Sequence, residues 1–324
     1  MQDSMGREIS YLRVSVTDRC NLRCLYCMPQ DGVELTEHQE ILSLEELGRL
    51  VYIGSTLGIK RIRITGGEPL VRRGLVKLVE NIAANRQIED LSMTTNGTRL
   101  PEMAADLKGA GLQRVNISLD TLNADKYRYI TGGGDIDQVL RAVRSSLEIG
   151  FNPVKVNVVM IKDFNDDEID QFVNWAIQEP VHIRFIEFMP IGDLDFWNRS
   201  RLIASIDIIN RLNTVYKLSP LNNLTGAGPA RVYQSEGGQG SIGFITPMSS
   251  HFCDTCNRVR LTSQGMLLGC LHGRQGVDFK GPLRQGADDL VLQELFEKAI
   301  SLKPKGHQME QGWGKDSTMS QIGG

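Results

Sequence analysis

The sequence predicts an α/β fold, namely an incomplete (β/α)6 TIM-type barrel with a C-terminal extension. Six short runs rich in β-branched residues recur through residues 1–192, and stretches with helical periodicity separate them. Glycine or polar residues follow most of these runs, as at the carboxyl ends of barrel strands. The alternation favours a parallel sheet with right-handed crossovers. Because six repeats are two short of a closed eight-stranded barrel, we expect an opening at its side.

The expected strands are Leu12–Val16, Arg61–Thr65, Asp90–Thr94, Arg114–Leu119, Val154–Met160 and His182–Phe188. A helix is expected over Ser43–Leu57, where Glu46 follows Ser43 by three residues in a capping-box pattern. Asp137–Ile149 and Asp166–Gln178 show the periodicity of amphipathic helices.

The regular alternation ends after residue 192. We therefore expect residues 1–192 to form the partial barrel and residues 193–324 to form the extension. The expected elements of the extension are helix Ser205–Leu212, a loop over Ser219–Ala230, strands Arg231–Gln234 and Ser241–Thr246, and helix Asp288–Ile300.

The composition is that of an ordinary globular protein, with 41% apolar and 23% charged residues. A net charge of −3 argues against non-specific binding to nucleic acid. Apolar runs such as Val154–Ile161, which Lys155 interrupts, are far shorter than the about 20 residues that span a bilayer. The first ten residues have no apolar signal segment. We therefore expect a cytoplasmic protein with no membrane or nucleic-acid partner.

The six cysteines form two triplets, and none lies between them. A disulfide framework is typical of small secreted chains, so the grouping favours metal or cluster ligation. Cys20, Cys24 and Cys27 have the spacing C-x3-C-x2-C on a loop after the first expected strand. Three such thiolates can hold three irons of a four-iron cube and leave the fourth iron open. A zinc site would need a fourth ligand, and the first histidine after the loop is His38.

This loop resembles the signature of radical S-adenosylmethionine enzymes, because an aromatic residue, Tyr26, precedes the last cysteine. The GGEP run at residues 66–69 follows the second expected strand and resembles a second element of that family. The resemblance implies a [4Fe-4S] cluster that cleaves S-adenosylmethionine to a 5′-deoxyadenosyl radical. It also implies that this cofactor is bound by Tyr26, Gly67, Glu68, Ser118 and Met189.

The second triplet, Cys253, Cys256 and Cys270, has the spacing C-x2-C-x13-C. It could be a structural zinc site with His251 or His272 as the fourth ligand. The alternative is a second cluster with an open iron that faces the substrate. The spacing alone leaves both hypotheses open.

The two triplets, the run FCDTCNRVR at residues 252–260 and a terminal Gly-Gly together resemble the GTP 3′,8-cyclases of molybdenum cofactor biosynthesis. The resemblance extends from Arg7 to the last residue. It implies that the second triplet holds a second [4Fe-4S] cluster, which binds the guanine base. The GTP-binding residues that it implies are Arg13, Arg63, Thr94, Lys155, Arg258, Val259 and Arg260. The catalytic residues that it implies are Cys20, Cys24, Cys27, Arg258, Arg260 and the terminal glycines Gly323 and Gly324.

The cations within the expected strands support an anionic substrate independently of the resemblance. Arg13, Arg63 and Lys155 lie in strands otherwise rich in Val and Ile, and Arg184 lies in a fourth. One such residue would be read as a surface charge, but several on separate strands favour a polar lumen that accepts an anion. The sequence has no G-x4-G-K-[ST] run, so a P-loop is not expected. The glycines at residues 132–134 are interpreted as a flexible turn.

The resemblance implies a lyase that forms (8S)-3′,8-cyclo-7,8-dihydroguanosine 5′-triphosphate by abstraction of the C3′ hydrogen of GTP and attack on C8. It further implies an electron donor such as flavodoxin or ferredoxin and a downstream cyclic pyranopterin monophosphate synthase, and it allows a homodimer. Two other hypotheses remain. One is a peptide-modifying radical enzyme with an auxiliary cluster, and the other is a non-catalytic zinc or nucleic-acid-binding module.

Overall fold

The computed structural model describes residues 1–29, 31–34, 36–191, 196–221, 228–273, 275–307, 309 and 318–323. Gly324, which is predicted to be catalytic, and Gly192, which ends the predicted barrel, lie outside the described residues. The division of the chain at residue 192 therefore stays a prediction. No helix in the described parts of the chain is long and apolar enough to cross a membrane.

The described strands join in a single sheet. They are β1 (Tyr11–Ser15), β2 (Arg61–Thr65), β3 (Asp90–Thr95), β4 (Arg114–Ser118), β5 (Val154–Met160), β6 (Val181–Glu187), β7 (Leu218–Pro220), β8 (Arg231–Ser235), β9 (Ser241–Ile245), β10 (Arg258–Leu261), β11 (Met266–Leu268) and β12 (Gly276–Asp278). Their order is β12-β11-β10-β1-β2-β3-β4-β5-β6-β9-β8-β7. The six strands that the sequence predicts for the barrel are thus confirmed, with bounds shifted by no more than one residue.

The described helices mostly connect these strands. They are α1 (Leu44–Thr56), α2 (Leu75–Ala83), α3 (Leu100–Gly109), α4 (Ala124–Ile130), α5 (Ile136–Glu148), α6 (Ile169–Gln178), α7 (Ser205–Tyr216), α8 (Lys280–Arg284), α9 (Asp289–Ser301) and α10 (Met319–Ile322). The predicted capping box of α1 is confirmed. Ser43 Oγ accepts from the backbone N–H of Glu46 at 3.1 Å, and the Glu46 carboxylate accepts from the backbone N–H of Ser43 at 2.7 Å.

Two strands of the extension lengthen the parallel part of the sheet. β10 pairs in parallel with β1, and β9 pairs in parallel with β6. The run of parallel strands therefore includes β9 and β10 as well as the predicted six. Sequence periodicity could not show this, because the choice of a pairing edge depends on contacts between distant segments.

The sheet is curled, as a partial barrel requires. In a flat sheet, β2 and β6 would lie about 19 Å apart, since neighbouring strands are about 4.8 Å apart. The guanidinium groups of Arg63 on β2 and Arg184 on β6 are nevertheless close enough for the first to lower the pKa of the second. These side chains therefore face one another across an interior.

The two faces of the sheet differ in polarity. In-register residues share a face, and successive residues of a strand point to opposite faces. One face carries fully buried apolar residues such as Leu12, Ile62 and Val156, which belong to the main hydrophobic core. The other face carries Arg13, Arg63 and their in-register polar neighbours. This polar face lines the interior and is called the lumen below.

Candidate active site

The first cysteine loop follows β1 and is anchored to the end of α4. The backbone N–H groups of Arg23 and Leu25 donate to the carbonyls of Thr131 and Ile130, each at 2.9 Å. Cys27 N–H donates to the Cys24 carbonyl at 2.9 Å, which closes the turn between the last two cysteines. The strand end and this anchor bring the three thiols of the predicted cluster site together on one loop.

The electrostatics of this loop fit an iron–sulfur cluster. Burial raises the pKa of the Cys20 and Cys24 thiols, and it raises the pKa of Cys27 to about 12. The charges of neighbouring thiols and of Asp120 add to the effect on Cys24. Three thiolates in these surroundings require positive charge among them, and the irons of a cluster supply it.

The glycine turn after α4 supports the cysteine loop, and sequence reasoning missed this. Gly132 has φ +69°, and a Cβ added there would lie 2.9 Å from both Cβ and the carbonyl oxygen of Arg23. Only glycine allows this approach in that backbone conformation. The turn predicted at residues 132–134 is confirmed, and it has a supporting role that the sequence reasoning did not include. The sequence shows three consecutive glycines, but it does not show that Gly132 has a positive φ or that it contacts Arg23.

The GGEP run also lies beside the first loop. The backbone N–H of Gly67 donates to the Thr17 carbonyl at 2.8 Å. The buried carboxylate of Glu68 accepts from Thr95 Oγ1 at 2.7 Å and from the backbone N–H groups of Leu70 and Asn96 at 3.0 and 2.6 Å. Burial raises the pKa of Glu68 to about 7, although these donors oppose the shift. A carboxylate has about four acceptor positions, so one remains for a ligand.

Tyr26 is held by Asp120, a carboxylate that follows the fourth predicted strand and whose contact with Tyr26 was not predicted. Its hydroxyl donates to Asp120 Oδ2 at 2.5 Å, while Asp120 Oδ1 accepts from the backbone N–H of Val159 at 2.8 Å. Burial raises the pKa of Asp120 to about 6. The ring of Tyr26 also packs edge-on against Phe188, with 6.3 Å between centroids. Asp120 lies two residues after Ser118, at the carboxyl end of β4, and this position indicated from the sequence that it belongs to the site.

The remaining predicted cofactor residues have different surroundings. Ser118 is half-buried on the lumen side of β4, in register with Asn157 of β5. Met189 is half-buried and packs in a small apolar cluster with Ile322 of the C-terminal segment. The structure therefore places Ser118 on the lumen face and Met189 against the C-terminal segment.

The second triplet lies beside β10 and β11, among cations. Burial opposes ionisation of Cys256, but Arg258 and Lys303 outweigh it and lower the pKa of this thiol to about 7. Burial raises the pKa of Cys253. Arg258 also packs over the Phe252 ring, with 4.9 Å from its guanidinium carbon to the ring centroid. A thiolate beside two cations is a good ligand for iron.

The histidines near this triplet do not complete a site for one metal ion. His251 Nδ1 lies 2.7 Å from the Pro247 carbonyl, and His272 Nε2 is buried without a hydrogen-bond partner. Burial and the neighbouring His307 and Arg260 lower the pKa of His272 to about 4. Within the described ranges, no three His, Cys, Asp or Glu side chains are grouped to hold a metal ion. Because this also applies to the thiols of both triplets, the geometry does not separate the zinc hypothesis from the cluster hypothesis.

The lumen concentrates positive charge. Arg63, Lys155, Arg184 and Arg260 are each no more than 8% exposed. Burial, and then the neighbouring cations Arg184, Arg114 and Arg63, lower the pKa of Lys155 to about 5. Burial lowers the pKa of Arg184 to about 9 and that of Arg260 to about 10, again with help from adjacent arginines. Burial and Arg260 likewise lower the pKa of Arg13 well below its usual range.

This cluster of cations has few carboxylates to balance it. Arg114 pairs with Asp90, its Nε donating to Asp90 Oδ1 at 2.6 Å. In the described part of the chain, no ion pair with a carboxylate is formed by Arg63, Arg184 or Arg260. Buried cations in such surroundings bind an anion well.

Buried polar atoms without a partner line the same face. Five of them occupy lumen positions of the parallel strands: Tyr11 Oη, Thr65 Oγ1, Thr94 Oγ1, Asn116 Oδ1 and Asn157 Oδ1. Buried polar groups are normally hydrogen-bonded, so a set of exceptions on one face indicates a ligand site. Thr94 was predicted to bind substrate. Sequence reasoning missed Tyr11, Asn116 and Asn157, although their alternation with apolar residues was a usable signal.

Val259 differs from its predicted partners. It is fully buried and belongs to the main hydrophobic core, on the face opposite Arg258 and Arg260. Any contact of Val259 with a ligand in the lumen would therefore involve its backbone, because the side chain packs against the core.

The C-terminal segment enters the lumen. The Gly323 carbonyl accepts from Arg260 Nη1 at 2.7 Å, and the backbone N–H of Ser320 donates to the Cys27 sulfur. Gly323 has φ +73°, and an added Cβ would lie 2.8 Å from Thr65 Oγ1 and 2.9 Å from Ser15 Cβ. Ser320 and Gly323 are three residues apart in sequence, so their Cα atoms lie at most about 11 Å apart. The C-terminal segment therefore connects the first cysteine loop to Arg260 of β10 over a short distance.

Comparisons with known proteins agree with this architecture. The Radical SAM superfamily model matches residues 14–176, and the Molybdenum Cofactor Synthesis C model matches residues 181–309. Streptococcus suis SuiB bound to S-adenosylmethionine has TM-score 0.62 at 12% identity, over 95% of this chain and 71% of SuiB. SuiB bound to precursor peptide SuiA has TM-score 0.60 at 13% identity, over 82% and 60%. At such low sequence identities, the structural similarity shows the fold alone. It confirms the predicted α/β class.

Curated relatives are much more similar. The GTP 3′,8-cyclases of Syntrophomonas wolfei and Moorella thermoacetica are each 52% identical to this chain, over 326 and 324 residues. Each alignment covers 100% of this chain and 100% of the relative. Membership of the radical SAM superfamily implies a [4Fe-4S] cluster and S-adenosylmethionine, as the cysteine loop predicts. The chain therefore belongs to the GTP 3′,8-cyclase family of radical SAM enzymes.

Proposed function

We propose that this protein is a lyase that converts GTP to (8S)-3′,8-cyclo-7,8-dihydroguanosine 5′-triphosphate, the first step of molybdenum cofactor biosynthesis. The observation that carries the proposal is the cationic lumen, in which partnerless polar atoms lie among buried cations. The name of the full-length relatives supports the same activity. It also favours a nucleotide over the peptide substrate of the first alternative hypothesis.

The first loop would bind the radical-forming cofactors. Cys20, Cys24 and Cys27 would hold a [4Fe-4S] cluster, which together with S-adenosylmethionine supplies a 5′-deoxyadenosyl radical. Glu68 would accept a hydrogen bond from the ammonium group of S-adenosylmethionine at its remaining acceptor position. The backbone of Gly67, the Tyr26 ring held by Asp120, Ser118 and Met189 would complete the binding site.

The cations of the lumen would bind the triphosphate. Arg13, Arg63 and Lys155, together with Arg184, lie on separate strands and on the sheet face that lines the lumen. GTP carries about four negative charges near neutral pH, since each of its phosphates loses one proton readily and the terminal phosphate loses a second with a pKa of about 6. Binding would favour the protonated form of Lys155, because the charge of the triphosphate would offset the effects of burial and of the neighbouring cations on its pKa. Thr94 would donate its hydroxyl to the nucleotide.

The second triplet would bind the base. Cys253, Cys256 and Cys270 would hold a second [4Fe-4S] cluster next to the guanine, which leaves the ribose between the triplets. Abstraction of the C3′ hydrogen and attack of C3′ on C8 would give an aminyl radical, which one further electron and a proton convert to product. Arg258 and Arg260 would stabilise that radical electrostatically, and Val259 would contact the nucleotide through its backbone.

The terminal glycines would act inside this site. The carbonyl of Gly323 accepts a hydrogen bond from Arg260 Nη1 at 2.7 Å. We propose that Gly323 and Gly324 keep Arg260 in place and contribute backbone groups during the reaction. Gly324 itself lies outside the described residues.

The remaining partners follow from the chemistry. Each turnover would need two electrons, one for the first cluster and one for reduction of the aminyl radical, and flavodoxin or ferredoxin would supply both. A cyclic pyranopterin monophosphate synthase would consume the product. A homodimer, and a cytoplasmic location, stay predictions.

Anaerobic turnover tests the proposed substrate. The reconstituted protein is incubated with S-adenosylmethionine and a strong reductant, with and without GTP, and 5′-deoxyadenosine is measured. We expect its formation to depend on GTP, and we expect deuterium from 3′-deuterated GTP in the product 5′-deoxyadenosine. GTP-independent formation would argue against this substrate, and absence of deuterium transfer would argue against C3′ as the abstraction site.

Metal analysis tests the two clusters. We expect about eight irons and eight sulfides per chain, as two four-iron cubes require. The triple substitution of Cys253, Cys256 and Cys270 by alanine should remove about half of each, because four-iron clusters load independently. Stoichiometric zinc without sulfide at the second triplet would refute the second cluster.

A further inference from the structure

The segment from Lys303 to His307 lies against the second cysteine triplet. Lys303 Nζ donates to the Cys256 sulfur at 3.5 Å, and the backbone N–H of His307 donates to the Cys253 sulfur. One five-residue segment thus contacts two of the three thiols. It lies outside the FCDTCNRVR run and far beyond it in sequence.

Lys303 is a buried cation in unusual surroundings. It is 4% exposed. Besides the thiol, its ammonium group donates to the carbonyls of Arg258 at 2.7 Å and Gly269 at 2.6 Å. These three acceptors use all the N–H groups of the ammonium. Among the described residues no carboxylate forms an ion pair with Lys303. The ionised groups that can balance its charge are therefore the thiolates.

The segment is fixed in place from the N-terminus of the chain. Arg7 Nη1 donates to the carbonyls of Cys253 at 2.8 Å and Lys305 at 3.0 Å, and Arg7 Nη2 donates to the Pro304 carbonyl at 2.7 Å. Asp3 pairs with Arg7 Nε at 2.6 Å, and both side chains are buried. The hydrogen bonds of Arg7 therefore help to hold Lys303 at the Cys256 sulfur, in addition to the hydrogen bonds that Lys303 donates itself.

We propose that Lys303 is a positioning residue that fixes the ends of β10 and β11 and, through its hydrogen bond and charge at the Cys256 sulfur, raises the electron affinity of a cluster held by the second triplet. The inference rests on the proposed function, because it requires a [4Fe-4S] cluster at that triplet. Added negative charge is stabilised by a nearby fixed cation in a weakly screened interior. Hydrogen bonds to cluster sulfurs likewise shift reduction potentials.

The affected step is a one-electron reduction. One electron from the added reductant, such as dithionite, converts the oxidised cluster to the reduced cluster, and no bond breaks. Loss of the cation in Lys303→Met should lower the ratio of reduced to oxidised second cluster at least tenfold at a fixed solution potential. For one electron, tenfold corresponds to a shift of about 59 mV toward more negative potential.

The experiment is an anaerobic redox titration of the reconstituted full chain, followed by electron paramagnetic resonance. Signals of the second cluster are assigned by their loss in the variant with alanine at Cys253, Cys256 and Cys270, and the first cluster is the internal reference. Lys303→Arg keeps the positive charge. Its ratio of reduced to oxidised second cluster should therefore stay within about threefold of the wild-type ratio, a change less than half as large in potential as the tenfold change expected for Lys303→Met. Lys298→Met removes an exposed lysine of α9 and should change nothing.

The outcomes separate this inference from the proposed function. If the wild-type chain binds only the irons of the first cluster, the second cluster is wrong and the role of Lys303 falls with it. If the wild-type chain binds both clusters but Lys303→Met leaves the second potential unchanged, the Lys303 inference alone is overturned. If Lys303→Met does not load the second cluster, Lys303→Gln is titrated instead, with the same shift expected. Failure of both to load, in chains with wild-type circular dichroism, would make the lysine a requirement for loading and overturn its redox role.

Discussion

Substitution of Gly323 by alanine should displace the C-terminal segment from the lumen. The residue has φ +73°, and an added Cβ would lie 2.8 Å from Thr65 Oγ1 and 2.9 Å from Ser15 Cβ. Both neighbours lie at the buried end of parallel strands, where the backbone cannot shift freely. The substitution therefore combines backbone strain with overpacking.

The expected magnitude follows from these two costs. A left-handed conformation costs an alanine about 1–2 kcal/mol, and overpacking a buried site costs about 1–3 kcal/mol. Together they disfavour the docked segment by about 2–5 kcal/mol. Since about 1.4 kcal/mol is a factor of ten in an equilibrium, the ratio of docked to undocked segment should fall at least about 25-fold.

Hydrogen exchange of residues 318–323 and GTP-dependent formation of 5′-deoxyadenosine measure the effect. Gly323→Ala should increase exchange in this segment and decrease turnover. Gly237 provides a matched control, because it has the same φ of +73° but no atom within 4 Å of an added Cβ. Gly237→Ala should cost only the backbone strain and leave turnover unchanged. Equal behaviour of the two variants in both assays would refute the argument from close packing.

Three further predictions concern the free protein. The pKa of Lys155 is about 5 in the folded protein and 10.5 in the unfolded chain. Between pH 5 and pH 10.5 the lysine is therefore protonated only in the unfolded chain, so the free energy of unfolding should rise with pH across this range. Lys155→Met should reduce this rise by up to about 1.4 kcal/mol per pH unit, as measured by urea unfolding at several pH values. Asp90→Ala should destabilise the fold by about 3 kcal/mol, because it leaves the buried Arg114 without its partner. Ser43→Ala should cost about 1 kcal/mol by removing the cap of α1.

Controls distinguish each of these effects from a general loss of stability. Glu80→Ala breaks the exposed pair with Lys77 and should cost less than about 1 kcal/mol. A cost equal to that of Asp90→Ala would contradict the argument from burial. An unchanged pH slope in Lys155→Met would show that the lysine is charged in the folded protein. A neutral Ser43→Ala would mean that tertiary packing alone holds the start of α1.

Much of the fold was predictable because it depends on local pattern. The strand bounds follow from short runs of β-branched residues, and the start of α1 follows from a capping box whose members are three residues apart. Asp166–Gln178 was predicted as one helix, whereas a 3-10 turn over Asp166–Glu168 precedes α6. The Glu168 carboxylate accepts from Thr121 and Leu122, so a tertiary contact modifies that end of the helix.

The candidate site was predictable only where a motif names its residues. Cysteine spacing and GGEP predicted the loops proposed to bind the cofactors, and charged residues in apolar strands indicated the lumen. The support given by Asp120 to Tyr26, by Gly132 to the cysteine loop and by Lys303 to Cys256 was not predictable. Each joins segments whose proximity depends on how the whole sheet curls.

The sequence alone determined the bounds of the six barrel strands, the two sets of thiols and the presence of cations within apolar strands, because spacing and composition are local properties. The tertiary structure alone decided which of these groups meet. Arg7 contacts Lys305 across 298 residues, and Arg260 contacts Gly323 across 63. The strands β9 and β10 join opposite edges of the six-stranded sheet, and Cys256 lies two residues before β10. Closure of such long loops depends on the free energy of the assembled sheet, which no local segment contains.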